Sequence, residues 1–134
     1  MPSRHRERLN AALQLAAQGQ LDQALSDLVA ALSIAEASGD PQWISLFSRN
    51  IGIVAEQLGR WPDVVRYYRL ACEIDPTDPH IHVALGQALT AIGQVDQARR
   101  ALQHSIDLAR ARREDALADR AEVLLSRIED TSGL

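Results

Sequence analysis

Three segments of the chain repeat one another, and this repetition constrains the fold more than any other feature. When Gly19, Gly59 and Gly93 are aligned, residues of similar character fall into register after each of them. The aligned sets are Leu21, Trp61 and Val95; Ala24, Val64 and Ala98; Leu28, Tyr68 and Leu102; and Ala31, Ala71 and Ser105. A fixed period of this length is typical of solenoids built from stacked helix pairs, because one unit cannot bury its apolar face alone.

The apolar periodicity predicts an all-α chain of about seven helices, and no segment has the pattern of a strand. We expect the helices at about 6–18, 21–38, 41–58, 62–74, 79–92, 95–113 and 115–129. The break at Gly39-Asp40-Pro41 predicts a helix start with aspartate as the N-cap and proline in the first helical position. Asp78 and Pro79 predict the same arrangement later in the chain.

The residues in register also resemble a known repeat. The three segments contain, in order, Arg8, Ala11-Ala12, Leu15, Ala24 and Leu28; Ser48, Ile51-Gly52, Ala55, Val64, Tyr68 and Pro76; and His82, Leu85-Gly86, Leu89, Ala98 and Leu102. This pattern resembles the tetratricopeptide repeat, a helix-turn-helix unit of ~34 residues with the signature W-x2-L-G-x2-Y, A-x3-F, P. The resemblance implies a right-handed α-solenoid of antiparallel helix pairs.

The resemblance implies a single tetratricopeptide repeat domain over residues 1–134. Its repeats are expected at about 5–40, 45–78 and 79–113, followed by a capping helix at about 115–129. Gly19 and Gly59 are six residues further apart than Gly59 and Gly93, so the second helix of the first repeat is predicted to be lengthened. Such lengthened units resemble those of bacterial regulators.

Composition argues for a protein that binds neither nucleic acid nor membranes. The 134 residues include 46% hydrophobic residues and carry a formal net charge of −4. All fourteen basic residues are arginines, and two clusters of them stand out: Arg4, Arg6 and Arg8 at the start of the chain, and Arg99, Arg100, Arg110, Arg112 and Arg113 around the third repeat. Aromatic residues make up only 4%, so platforms for single-stranded bases are scarce. We interpret the clusters as solvated faces, with nucleic-acid binding as the weakest of three hypotheses.

The lack of a recognisable targeting signal in the sequence favours a cytoplasmic location. Residues 1–20 contain no uninterrupted apolar run of the kind that a signal peptide needs, and no later stretch is long enough to span a membrane. Cys72 is the only cysteine, so an internal disulfide is excluded and a reducing compartment is expected.

Candidate catalytic and metal-binding groups do not assemble into a site. Cys72 is expected to be a small buried residue, since nothing near it in sequence lowers its thiol pKa. His80 and His82 are two residues apart, which on a helix directs them to different faces. His104 and Asp107 are interpreted as a solvated pair. We therefore predict no enzymatic activity, no cofactor and no metal site.

Protein recognition remains, and the resemblance implies where it occurs. In this family the first helix of each pair lines a concave groove that binds a peptide or another segment of a partner. The positions that match the groove are Arg6, Leu9, Asn10 and Leu13 in the first repeat, Leu46, Arg49, Asn50, Ile53 and Gln57 in the second, and His80, Val83 and Gln87 in the third. Some of these apolar residues have an alternative role, which is to pack between adjacent helices.

One specific function of the family is not retained in this sequence. Repeats that grip the acidic tails of heat-shock chaperones use a carboxylate clamp of Lys, Asn, Asn, Lys and Arg. The matching positions here are Leu9, Leu13, Asn50, His80 and Ala84, of which only Asn50 agrees. Without the paired cations we expect no binding of such tails.

Two hypotheses of function lead. The first is an interaction module or adaptor that holds a partner segment in the groove; its variant is a small dedicated chaperone, because three repeats and a cap resemble the chaperones of bacterial secretion systems. The second is a scaffold that assembles with further copies of itself into a homo-oligomer. For the second hypothesis Trp43 and Tyr67 are the candidate contact residues, with local packing as their alternative role.

Overall fold

The computed structural model describes residues 4–132, and these residues form seven α-helices. They are α1 (His5–Ala17), α2 (Leu21–Ser38), α3 (Pro41–Gln57), α4 (Trp61–Ile74), α5 (Pro79–Ala91), α6 (Val95–Ala111) and α7 (Asp115–Ser132). The predicted all-α fold class is confirmed, and the predicted helix ends agree with the observed ones to within three residues. The lengthened second helix is also present, since α2 has 18 residues and α4 has 14.

The helices group into two compact units. Unit 1 comprises Met1–Ile74 and contains α1 to α4, whereas unit 2 comprises Asp75–Leu134 and contains α5 to α7. The single domain predicted over residues 1–134, with its repeat boundaries, stays a prediction. Residues 1–3 and 133–134 of that domain lie outside the described range.

Five of the turns between helices have the same hydrogen-bond pattern. At Gly19, the glycine N–H donates to Ala16 O, and the N–H of the following Gln20 donates to Leu15 O. This pattern satisfies carbonyl groups at a helix C-terminus and needs one residue with a positive φ. Gly19, Gly39, Gly59 and Gly93 supply that residue in four turns, and Arg113, with φ of 59°, supplies it between α6 and α7.

The helices within a pair approach closely because a glycine of one helix faces a large side chain of the next. A Cβ atom built on Gly52 would lie 2.7 Å from the ring of Tyr68, and one built on Gly86 would lie 2.7 Å from Leu102. Tyr68 donates a hydrogen bond from its hydroxyl to Glu56, at 3.4 Å. Burial, together with the negative charge of Glu56, raises the pKa of Tyr68 well above its usual value, so the hydroxyl remains a donor.

A constant offset relates three helices of unit 1 to the three helices of unit 2. Helices α1, α2 and α3 begin at His5, Leu21 and Pro41, and α5, α6 and α7 each begin 74 residues later. The segment from Gly19 to Ala24 differs from the segment from Gly93 to Ala98 at one position only, Leu21 against Val95. Each residue of α1 to α3 therefore has a counterpart in unit 2.

The core of unit 1 centres on Phe47, which is completely buried. The imidazole of His5 contacts the Phe47 ring edge-on, with centroids 5.8 Å apart, and it also packs against the indole of Trp43. His5 is itself buried, and its Nε2 lies 3.4 Å from the carboxylate of Asp40. Asp40 is the N-cap residue of α3 and Pro41 is its first residue, as predicted, but the Asp40 side chain makes no capping hydrogen bond.

The two candidate residues for self-assembly are both involved in packing within unit 1. Trp43 is half-buried, and the Arg6 guanidinium lies 5.8 Å from the centroid of its indole ring. Tyr67 is half-buried against the hydrophobic core cluster of unit 1, and the Arg66 guanidinium lies 5.2 Å from its ring centroid. Both side chains are therefore used in packing within unit 1, and each remains partly exposed.

Helix α4 packs against one face of α3, and the equivalent face of α7 carries different residues. In α3 this face includes Ser48 and Ala55, which are completely buried. The counterparts in α7 are Glu122 and Glu129, and no helix within residues 4–132 covers them. Carboxylates are poorly suited to a buried helix contact, and Glu122 instead forms an ion pair with Arg110 of α6. The polar residues on α7 fit a helix whose outer face meets water.

Two expectations about single residues were wrong. His104 and Asp107 do not form a solvated pair, because Asp107 accepts a hydrogen bond from Gln103 and His104 packs edge-on against His82, with centroids 4.4 Å apart. Gln103 lies one turn before Asp107 on α6, whereas His82 lies on α5, and sequence spacing alone does not reveal the contact between the two histidines. Cys72, expected to be buried, is half-buried.

His82 links the start of α5 to the turn before it. Its Nε2 lies 2.8 Å from Pro76 O, and its ring is buried against that of His104. Burial lowers the pKa of His82, and a positive charge on His104 would lower it further. The Pro76 carbonyl, Asp78 and Asp75 act in the opposite direction without cancelling this effect. The folded protein therefore favours a neutral His82.

We expect the stability of the fold to fall as the pH decreases from about 6.5, the usual histidine pKa. Because the pKa of His82 is lower in the folded state, the unfolded state binds a proton first, and acid favours unfolding. Melting temperatures measured at a series of pH values from neutral to mildly acidic should show this decrease. The decrease should be smaller in His82→Gln than in His80→Gln, since His80 is exposed; equal decreases in the two variants would contradict the assignment.

Candidate functional site

The predicted groove residues of unit 1 lie on α1 and α3, which contact each other. Leu13 on α1 and Ile53 on α3 are 41% and 39% exposed, so neither side chain is covered by the core of unit 1. Asn10 and Gln57 are exposed beside them on the same two helices. We call this surface, defined by Asn10, Leu13, Ile53 and Gln57, the unit-1 face.

Three predicted groove residues of α3 are half-buried, namely Leu46, Arg49 and Asn50. The Asn50 side chain donates a hydrogen bond to Leu46 O, at 2.8 Å, so its amide is oriented by its own helix. Arg6, also predicted, is exposed, but its guanidinium stacks on Trp43.

Two of the apolar residues predicted to line the groove are buried. Leu9 belongs to the hydrophobic core cluster of unit 1, and Val83 on α5 is 2% exposed. Both therefore contribute to packing, and their contact with a ligand stays a prediction. His80, predicted for the same groove, is exposed at the start of α5, with its Nε2 3.3 Å from the carboxylate of Glu114.

Unit 2 contains an apolar pocket between α5, α6 and α7. Its volume is about 450 Å³, and its floor consists of Val95 and Leu102 from α6 and Leu124 and Ile128 from α7. Pockets that bind ligands typically have volumes of roughly 300–1,000 Å³ and mostly apolar walls. We call this cavity the unit-2 pocket.

Polar groups line the rim of the unit-2 pocket. They are Gln87 and Thr90 from α5 and Arg127 from α7. Thr90 donates its hydroxyl hydrogen to Gly86 O, at 2.8 Å, which leaves the oxygen lone pairs able to accept. Of these residues only Gln87 was predicted from the sequence.

The two surfaces occupy equivalent positions in the two units. Because the offset is 74 residues, Leu13 corresponds to Gln87 and Ile53 corresponds to Arg127. Gln87 and Arg127 line one pocket, and Leu13 and Ile53 are their counterparts on α1 and α3 of unit 1. The same backbone arrangement thus presents aliphatic side chains in unit 1 and polar ones around an apolar floor in unit 2.

Sequence reasoning missed most of the unit-2 pocket. Val95 and Leu102 lie on a second helix of a pair, which the groove prediction did not consider, and Leu124, Arg127 and Ile128 lie on the helix assigned to a cap. The 74-residue offset was the available signal, since it identifies α7 as the counterpart of the groove-lining α3.

Other kinds of site find little support in the described structure. Within residues 4–132 no group of three or more His, Cys, Asp or Glu side chains is arranged to hold a metal ion. In the same range, none of the helices has both the length and the apolar character that crossing a membrane requires.

Several solved structures share this fold. The Yersinia enterocolitica type III secretion translocator chaperone SycD superposes with a TM-score of 0.82 at 16% identity, over 100% of this chain and 98% of that one. SycD in complex with a peptide of the translocator YopD gives 0.81 at 17% identity, over 95% and 93% of the two chains. PcrH from Pseudomonas aeruginosa, in complex with the chaperone binding region of PopD, gives 0.79 at 19% identity, over 98% and 96%.

Comparison with family models, and not with individual protein sequences, identifies the family. No curated protein sequence matches the chain. Two family models, both describing the tetratricopeptide repeat, match residues 7–77 and 55–116. The first alone covers more than half of the chain, and together they span all three aligned glycine turns. The chain therefore belongs to the tetratricopeptide repeat family.

Proposed function

We propose that this protein is a non-enzymatic interaction module that binds a segment of a partner protein, with a chaperone-like role. The observation that carries the proposal is the exposure of Leu13 and Ile53 on α1 and α3, the two helices of the unit-1 face. Exposed aliphatic side chains flanked by polar ones are typical of surfaces that bind proteins. A cytoplasmic location is part of the proposal and agrees with the single cysteine.

The similar structures support this proposal in a specific way. SycD is seen with a peptide of YopD, and PcrH with the chaperone binding region of PopD, so two proteins of this fold hold segments of other proteins. Polar side chains of the unit-1 face, such as Asn10 and Gln57, offer hydrogen bonds to the main chain of such a segment.

The test is a capture experiment with a matched pair of variants. The variant Leu13→Ser/Ile53→Ser should lose at least about tenfold of partner binding, because two apolar contacts are removed. The control Val29→Ser/Ile34→Ser removes two residues of equal exposure, 38% and 41%, from α2 and should bind normally. Partners captured from the native host by wild type and both variants are quantified by mass spectrometry, and melting curves verify that all three proteins are folded.

Equal capture by wild type and by Leu13→Ser/Ile53→Ser would contradict a role for the unit-1 face. Loss of capture only in the α2 control would move the interface to the opposite side of the first helix pair.

Self-association is the second candidate function, and α2 carries the observation that favours it. Val29 and Ile34 are exposed on this helix, together with the small residues Ala30, Ser33 and Ala37. Exposed aliphatic side chains together with small ones allow a second copy to approach this helix closely. If it acts so, the mass in solution should exceed that of one chain, and Val29→Ser/Ile34→Ser should reduce it to the monomer mass.

A further inference from the structure

We propose that the unit-2 pocket receives a large apolar side chain of a partner segment, and that Arg127 pairs with a carboxylate close to that side chain in the partner sequence. This inference rests on the proposed function and specifies the chemistry of the partner. It uses the pocket between α5, α6 and α7, most of which the sequence analysis did not assign to any role.

The floor of the pocket selects an apolar group. Val95, Leu102, Leu124 and Ile128 surround it, so a polar side chain would lose its hydrogen bonds with water without gaining others there. The volume of about 450 Å³ is large enough for one aromatic or long aliphatic side chain and part of its main chain. The pocket therefore favours Leu, Met, Phe or Trp over smaller residues.

The rim of the pocket fits the main chain of a polypeptide. The Gln87 side-chain amide is half-buried and makes no hydrogen bond to any residue within 4–132. An amide carries both donors and an acceptor, so it can bond a partner's N–H and C=O together. The Thr90 oxygen, whose hydrogen is donated to Gly86 O, can accept a further N–H.

The sign of the charge at the rim selects an acidic neighbour. Arg127 is the one charged side chain among the described residues that line the pocket. A guanidinium next to an apolar floor forms stronger charge-assisted hydrogen bonds with a carboxylate than it would in bulk water.

The inference is tested with random short peptides displayed on phage and selected against the full chain. Wild type should enrich peptides that have a large apolar residue within two positions of Asp or Glu. Arg127→Glu should lose the acidic preference, whereas Arg120→Glu, an equal charge change at an exposed position outside the pocket, should retain it. A synthetic enriched peptide should bind Arg127→Glu about tenfold or more weakly.

Two further measurements locate the binding. Methyl resonances of Val95 and Ile128 should shift when the peptide is added. The half-buried Leu124 lines the pocket, so Leu124→Trp should fill part of the cavity and weaken binding while the protein keeps its melting temperature. Unchanged affinity in both Arg127→Glu and Leu124→Trp would overturn the inference, as would enrichment of peptides without acidic residues or of none at all.

Failure of this inference is distinguishable from failure of the proposed function. If peptide binding is lost in Leu13→Ser/Ile53→Ser and unaffected in Arg127→Glu, the protein binds partners through the unit-1 face and the pocket inference is wrong. If the mass in solution of the wild type exceeds one chain and Arg127→Glu reduces it, a second copy occupies the pocket and the inference is also wrong.

Discussion

Replacing Phe47 by alanine is expected to destabilise the protein by about 3–5 kcal/mol, the largest effect of any substitution considered. Phe47 is completely buried and is the largest side chain with no exposure. Its ring contacts those of His5 and Trp43, so the substitution leaves a cavity that three neighbouring helices cannot fill without moving. A loss of this size is comparable with the whole stability of many domains, roughly 5–15 kcal/mol.

The measurement is urea unfolding followed by the helical circular dichroism signal. Val29→Ala is a suitable control because it also removes aliphatic carbon from unit 1, at a position that is 38% exposed. Val29→Ala should lower the free energy of unfolding by no more than about 0.5–1 kcal/mol, as expected for a surface helix position. A cost for Phe47→Ala below that of the control would show that Phe47 is not central to the unit-1 core.

Replacing Gly86 by valine is expected to cost about 3 kcal/mol, at the upper end of the range for overpacking. Helix propensity alone predicts the opposite sign, because glycine is the poorer helix former. We expect the steric clash to outweigh helix propensity, because the new Cβ would lie 2.7 Å from Leu102 Cγ and Cδ2. Leu102 is buried, with 1% exposure, and has little room to move. Helices α5 and α6 would have to separate, which also disturbs the floor of the unit-2 pocket.

A double-mutant cycle identifies this mechanism. Leu102→Ala makes room opposite position 86, so the Gly86→Val/Leu102→Ala variant should be less destabilised than the sum of its single changes. Gly93→Ala provides the contrast. No atom lies within 4 Å of its new Cβ, and its cost of about 1 kcal/mol comes from the positive φ, so Leu102→Ala should not relieve it. Additive costs for Gly86→Val and Leu102→Ala would contradict the close-contact explanation.

The helices were predictable because each signal was local. Glycines at the turns are needed for a positive φ, and Asp78 before Pro79 caps α5 by accepting the His80 N–H, as its position suggested. At Arg113 the same turn forms without glycine, so the sequence offered no signal and the predicted helix was extended two residues too far. The hydrogen bonds of the turn are strong enough to hold a residue with a Cβ in this conformation.

The candidate site was predictable only in part. Spacing within α1 and α3 placed Leu13 and Ile53 in the groove, which stays a prediction, and it could not distinguish these exposed residues from Leu9, which is buried. All three are aliphatic residues on the first helix of a predicted pair, and the difference depends on which neighbouring helix reaches them. The unit-2 pocket combines side chains from three helices, so no single helical pattern contains it.

The sequence by itself determined the helix pairs, their turns and the family, because periodic apolar residues and glycines act over a few positions along the chain. Tertiary structure alone decided which aliphatic residues stay exposed, that His104 packs on His82, and that Arg127 borders an apolar cavity. These outcomes depend on contacts between residues far apart in sequence, where side-chain volume and the separation of helices decide whether a surface is covered or left open to a partner.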